Sequence, residues 1–236
     1  MGFKIICEGA YALFTDPCAK TERTTYPVPT PSAMEGLLRS VFWKPAIRYV
    51  IDEIVVFNPI VTAGIRRNEV KDKISLSQMR RAMRGEPADP CVYTKASISQ
   101  RASSVLKDVR YGVAFHFVLT GMTQEENADA KYAEIIARRL KKGQCFRAPC
   151  FGCREFPVSR LYPVDRFDRG EIAPENLGER DLGLMLYGLN YRDDTDKLRN
   201  DWNSAYFSDR ADAVYYHPYM RDGVIDVAAY RGTRLC

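Results

Sequence analysis

Three features of the 236-residue chain predict an α+β fold. Apolar, β-branched runs alternate with two stretches of helical periodicity over residues 1–160. Residues 109–119 (VRYGVAFHFVL) alternate strictly, putting Val109, Tyr111, Val113, Phe115, Phe117 and Leu119 on one face. Beyond residue 160 the pattern changes to short extended runs and turn signals. The order strand, helix, strand, insertion, strand, helix, strand is the βαββαβ pattern of a ferredoxin-like (RRM-like) domain, expected over 1–160 with a basic insertion at 64–108. A small antiparallel β-sheet domain is expected over 161–236.

Each element has a local reason. Residues 3–8 form a short strand, and Thr15-Asp16-Pro17 breaks the apolar run that follows. Three prolines at alternate positions hold Pro27-Val28-Pro29-Thr30-Pro31 extended. Ser32 then reads as a helix N-cap with Glu35 completing a capping box, and Met34, Leu37, Leu38 and Val41 supply the apolar face. Pro45 ends that helix after Trp43-Lys44. Residues 49–57 (YVIDEIVVF) are a strand stopped by Asn58-Pro59. On the strand 109–119 the second face carries Arg110, Gly112, Ala114, His116 and Val118. Residues 129–143 are an amphipathic helix on Ala133, Ile136, Ala137 and Leu140, with Arg138, Arg139, Lys141 and Lys142 near its end and Gly143 as stop. Residues 151–158 are expected to return as a strand. Residues 182–191 and 213–219 look extended, and Asp222-Gly223 signals a hairpin turn.

Composition bounds the function. Hydrophobic residues are 46% and charged residues 28%, as in an ordinary globular protein, so disorder is excluded as the main state. No run of about 18 uncharged apolar residues is present, and Glu8 interrupts the N-terminal run too early for a signal peptide. A cytoplasmic protein without a membrane partner is expected. The net charge is only +5, but residues 64–110 hold eleven basic and five acidic residues, +6 in all, leaving −1 elsewhere. Clustered arginines among polar residues suit a phosphate backbone, while a solvated loop remains the plainer reading.

Seven cysteines in a chain without a secretory signal suggest reduced thiols. Cys145, Cys150 and Cys153 lie close together, but a closed zinc site needs four ligands and neither His116 nor His217 is near in sequence. No metal site is expected. P-loop, GxGxxG, GxSxG, HExxH and EF-hand signatures are absent. Catalysis, if present, falls to acid/base or phosphate chemistry by Lys, Arg, Tyr and His.

Several segments carry a more specific resemblance. Gly9 to Thr15 (GAYALFT), Thr30 to Gly36 (TPSAMEG), Phe42 to Ile47 (FWKPAI), Arg66 to Val70 (RRNEV), Ala114 to Phe117 (AFHF), Pro149 to Phe156 (PCFGCREF) and Asp181 to Leu186 (DLGLML) occur in this order. Together they resemble the Cas-five-d branch, subtype I-C, of the CRISPR-associated RAMP superfamily. The resemblance implies cleavage of CRISPR precursor RNA within its repeats, without metal or other cofactor and with a 2′,3′-cyclic phosphate product. It also implies retention on the 5′ handle of the guide as a subunit of the type I-C interference complex. The basic segment makes double-stranded DNA a further candidate partner. A guide-binding subunit without catalysis is the alternative.

Residue by residue, His116 matches the family's catalytic histidine. The catalytic tyrosine's position holds Phe42, which has no hydroxyl to exchange a proton. The family's lysine near the histidine has no counterpart, since Ala114 and Phe115 stand there, so Lys44 is the candidate cation. Tyr111 and Tyr26 are further candidate proton handlers. Residues 143–154 resemble the glycine-containing loop by which RAMP proteins touch RNA, which nominates Arg147, Gly152 and Arg154. Arg66, Arg67, Lys107 and Arg110 are the candidate contacts of the basic stretch.

Overall fold

A computed structural model describes residues 2–19, 22–121, 127–191 and 211–232. Met1, Cys236 and, within the expected C-terminal β-region, residues 192–210 lie outside the described residues. In chain order the elements are β1 (Phe3–Ala12), β2 (Arg23–Thr24), α1 (Pro31–Val41), β3 (Ile47–Val56), β4 (Val61–Val70), α2 (Leu76–Met83), β5 (Ile98–Leu119) and α3 (Ala128–Lys142). After them come β6 (Arg160–Pro163), β7 (Glu179–Asp181), β8 (Met185–Tyr191), β9 (Ala211–Tyr216), β10 (Tyr219–Arg221) and β11 (Val224–Asp226). Among the described residues this is a mixed α/β protein with three α-helices and a mostly antiparallel sheet.

The main sheet runs β6-β1-β5-β3-β11-β10-β7, with β2 and β4 paired to the first part of β5, while β8 and β9 form a separate pair. β5 is central: it pairs antiparallel with β1, β3 and β4, and only β2 joins it in parallel. β11, β10 and β7 extend the sheet beyond β3.

The basic stretch is a hairpin. β4 pairs with β5 from Val61 opposite Lys107 to Val70 opposite Ile98, and α2 lies in the connection. β5 therefore starts eleven residues before the strand read at 109–119. The apolar alternation is missing from its early half because residues 98–102 are wholly or partly exposed and the first buried place holds Ser103; main-chain pairing to β4 and β2 holds that half instead.

Three local expectations need correction. The cap of α1 is Thr30, not Ser32: its hydroxyl accepts from the Ala33 N–H at 3.2 Å, and Pro31 fills the first helical position, where a missing N–H costs nothing. Glu35 pairs along the helix with Arg39 at 2.6 Å. The helix ends at Val41, with Phe42 already extended, so Trp43 and Lys44 leave it as a loop. Residues 151–158 are a turn rather than a strand: Phe151 and Phe156 both enter the core, and the Phe151 N–H donates to the Phe156 carbonyl at 2.9 Å. The returning strand is β6, paired with β1 from Glu8–Arg160 to Ile5–Pro163.

Other readings hold. α3 ends on Gly143 at φ 64°, and Asp222-Gly223, both left-handed, turn β10 into β11. α1 contributes Met34, Leu37, Leu38 and Val41, and α3 contributes Tyr132, Ile136 and Leu140, to one core with Tyr111, Val113 and Phe115 of β5. Both helices thus cover the apolar face of that strand. The opposite face bears a smaller cluster of Ile6, Val55, Phe57 and Ile172, over which Phe167 packs. Gly112 permits this, because a Cβ there would sit 2.8 Å from the Phe167 ring. No helix among the described residues is long and apolar enough to cross a membrane.

Candidate active site and nucleic-acid interface

His116 projects from the face of β5 opposite the helices, beyond the part that Phe167 covers. It lies across from Val50 of β3. Two residues further along β3, Asp52 falls on the same face as Val50 by alternation, and the register slips just there, so that Glu53 is the residue set opposite Ala114. The His116 Nδ1 lies 2.9 and 3.1 Å from the two Asp52 oxygens. Arg231 holds the same carboxylate and also donates to the Ile51 carbonyl at 3.1 Å. Arg231 follows the 3-10 turn Ala228–Tyr230, which is anchored by the Tyr219 N–H donating to the Tyr230 hydroxyl at 3.0 Å.

A carboxylate only accepts hydrogen bonds, so Asp52 places the imidazole proton on Nδ1 and leaves Nε2 as the reactive nitrogen. The His116 and Asp52 side chains are 30% and 31% exposed, within reach of a large substrate. An oriented imidazole of this kind can take a proton from a hydroxyl or, once charged, deliver one to a leaving oxygen.

The other candidates are dispersed. Lys44 is exposed on the loop after α1, and no hydrogen bond or ion pair among the described residues links it to His116. Arg231 is the cation beside the histidine. Arg110 lies on the same face of β5 but is occupied: it pairs with Glu8 at 3.2 Å and Glu171 at 2.6 Å and stacks 4.7 Å from the Phe57 ring centre. Arg67 lies over Phe156 at 5.3 Å and pairs with Glu155, tying the hairpin to the 151–157 turn. Arg66, the next residue of β4, is exposed, as are Lys107, Arg147 and Arg154.

Gly152 serves packing. It adopts φ +80°, and any Cβ there would collide with the Leu13 carbonyl. Phe42 is 6% exposed, packed against Tyr132 at 6.1 Å and under Arg139 at 5.2 Å. It lies on the helix-covered side and not beside His116. Tyr111 is in the core, where burial pushes its hydroxyl well up, so it keeps its proton. Burial, then Asp16, pushes Tyr26 up to about 12. No three His, Cys, Asp or Glu side chains gather as a metal site among the described residues.

Asp52 and Arg231 escaped the sequence reading. Asp52-Glu53 inside YVIDEIVVF was the available signal, since an acidic pair in a buried strand needs partners. Arg231 carried none.

Comparison with known proteins places these features in context. The sequence model of a family described as CRISPR-associated protein (Cas_Cas5) matches residues 4–228. A protein of Mannheimia succiniciproducens named CRISPR pre-crRNA endoribonuclease Cas5d is 38% identical over 94% of this chain and 92% of its own length. A protein of the same name from Thermus thermophilus is 34% identical, covering 96% and 91%. A crystal structure of a CRISPR-associated protein superposes with a TM-score of 0.61 at 22% identity, over 96% of this chain and 91% of that one. A functionally uncharacterized protein from Streptococcus mutans gives the same score and identity over 95% and 91%. Both structural likenesses speak for the fold.

Proposed function

The chain belongs to the Cas_Cas5 family of CRISPR-associated proteins, and we propose that it is an endoribonuclease that cuts CRISPR precursor RNA within its repeats. Near-complete alignment with two relatives bearing that name supports the reaction class. The His116–Asp52 pair is the observation that carries the site. In this reading the RNA's own 2′-hydroxyl attacks the neighbouring phosphate. His116 Nε2 takes a proton from that hydroxyl or returns one to the 5′-oxygen, and the products are a 2′,3′-cyclic phosphate and a free 5′-hydroxyl. Asp52 acts through His116 as a positioning residue.

Lys44, Arg66, Lys107, Arg147 and Arg154 are read as phosphate contacts, being exposed cations. Arg67 and Arg110 are read as holding the RNA-facing elements in place, given their ion pairs. The order β6-β1-β5-β3, with α1 and α3 on one face, supports a ferredoxin-like body over residues 1–160 that is completed by β6 at Arg160–Pro163. Residues 161–236 are read as a small β-region appended to it. After cutting, the protein is proposed to stay on the guide's 5′ handle among the subunits of a type I-C complex in the cytoplasm, with double-stranded DNA a further ligand for its basic hairpin.

Phe42, which has no hydroxyl where the family resemblance implies a tyrosine, and Ala114 and Phe115, which leave no lysine next to His116, favour a second reading as a guide-binding subunit without catalysis. Incubation with cognate repeat RNA in EDTA separates the two. A cut at one position with a cyclic-phosphate end is expected. Tight binding without a cut would establish the second reading.

A further inference from the structure

The His116–Asp52–Arg231 group holds no free positive charge. Arg231 and the Asp52 carboxylate cancel, so with a neutral imidazole the three side chains sum to zero. A phosphate attacked by a neighbouring hydroxyl gains negative charge on its non-bridging oxygens before the leaving oxygen departs. A fixed cation or hydrogen-bond donor aimed at those oxygens is the usual way to stabilise it. Arg231 is already committed twice, to the Asp52 carboxylate and to the Ile51 carbonyl at 3.1 Å.

Strand pairing identifies the other cation on this face. In β3, Ile47, Tyr49 and Ile51 enter the core that the helices cover, so Arg48, Val50 and Asp52 point to the opposite face, that of His116. Val50 lies directly across from His116, and Arg48 across from Val118. Arg48 is therefore a diagonal neighbour of His116 in the sheet. Such neighbours stand about 7–8 Å apart, a gap that long side chains reach across. Asp52 stands on the other side of Val50 and takes the Nδ1 edge of the imidazole. Nε2 lies on the part of the ring turned away from that carboxylate, and Arg48 flanks the histidine on that other side.

Arg48 is exposed and, among the described residues, has neither a hydrogen bond nor an ion pair for its side chain. The charged groups around it are spent on one another. Glu53, after Asp52, pairs with Arg169 at 3.4 Å. Lys4 of β1, across from Ala114 and so also diagonal to His116, donates to the Asp165 carbonyl at 3.5 Å and lies 5.8 Å from the centre of the Phe167 ring.

We infer that Arg48 is the catalytic cation of this site, its guanidinium holding the non-bridging oxygens of the phosphate at which His116 moves the proton. This rests on the nuclease reading above and adds the residue that stabilises the charge. A planar guanidinium can give two parallel N–H donors to two oxygens of one phosphate, which an ammonium cannot. The bond from O2′ to phosphorus forms as the bond from phosphorus to O5′ breaks. One proton leaves the 2′-hydroxyl, one arrives at the 5′-oxygen, and Arg48 transfers none.

The test compares wild type, Arg48→Ala, Arg48→Lys and Lys4→Ala in single-turnover cutting of cognate repeat RNA, with protein saturating. Affinity is read on the same RNA carrying a 2′-deoxy sugar at the cut. Arg48→Ala is expected to cut about a hundredfold more slowly, with affinity within about threefold. Arg48→Lys should recover about tenfold of that loss, since it restores the charge without the fork. Lys4→Ala should stay near the wild-type rate. Sulfur in place of one non-bridging oxygen at the cut should slow the wild type, and this extra slowing should vanish in Arg48→Ala, which a folding or binding role would not produce. Arg48 is exposed, so circular dichroism of its variants should match the wild type. Undiminished cutting by Arg48→Ala, or a fall in affinity alone with the sulfur effect kept, would overturn the assignment and leave the nuclease reading intact. Loss of the rate and of the sulfur effect in Lys4→Ala instead would overturn it in favour of Lys4. Wild-type protein that binds the repeat RNA without cutting would defeat both readings together.

Discussion

At the scale of single residues, the reactive nitrogen of His116 is defined by Asp52, and Asp52 is shared with Arg231. An asparagine at 52 would fill the same space but could also donate, so the imidazole would no longer be held in one tautomer. Asp52→Asn is therefore expected to lower the single-turnover cutting rate by about 10–100-fold, the range for losing a group that orients another. Affinity for repeat RNA should stay within about twofold. A parallel fall in affinity with an unchanged rate would make Asp52 a folding or binding residue. Neighbouring arginines give a second contrast at this scale. Arg67 is spent on Glu155 and Phe156, whereas Arg66 is exposed on the same strand. Arg66→Ala should weaken RNA binding and reduce its salt slope by about one, leaving the melting temperature unchanged. Arg67→Ala should lower the melting temperature first. The opposite assignment in a thermal melt and a salt titration would reverse the roles.

At the scale of elements, legibility followed the hydrophobic pattern. α3 and the second half of β5 were readable because apolar residues recur at 3.6 and 2.0 spacing, as Ile136 and Leu140 or Val113 and Phe115 show. The first half of β5 was not, because residues 98–102 are exposed or half-exposed, Ser103 takes the first buried place, and the strand depends on pairing with β4. The turn at 151–157 misled because Phe151 and Phe156 suggest a strand, while both rings enter one core from a bend. His116 and its face of β5 were legible by alternation. Asp52 was hidden because the sequence does not say which residue of β3 lies opposite His116; the pairing of Val50 with His116 is what sets Asp52 beside it. Its partner Arg231 lies 179 residues away in sequence.

At the scale of the whole molecule, the core holds several groups that must stay protonated. Burial raises Cys7, Tyr49, Tyr111 and Tyr216, and Tyr26 is pushed up to about 12. Folded values above the unfolded ones mean stability that is fully present below the ordinary thiol and phenol range and lost as pH rises through it. The melting temperature should thus stay level up to about pH 8 and fall steadily above about pH 9–10. A flat profile to pH 11 would contradict the burial of these side chains. The charge distribution belongs to the same scale: a net +5 is the remainder after a strongly basic hairpin is offset by acidic residues elsewhere. A modest sum is compatible with a local site for a polyanion.

These scales meet at one imidazole, held by Asp52 on the face of β5 away from the helices, which is proposed to move the proton in a cut without metal. Single-turnover cleavage of cognate repeat RNA in EDTA, with protein saturating the RNA, tests it in the wild type and in His116→Ala. The expected result is a cyclic-phosphate cut by the wild type and a rate at least about a hundredfold lower in the variant, with RNA affinity retained. Undiminished cutting by His116→Ala would contradict it.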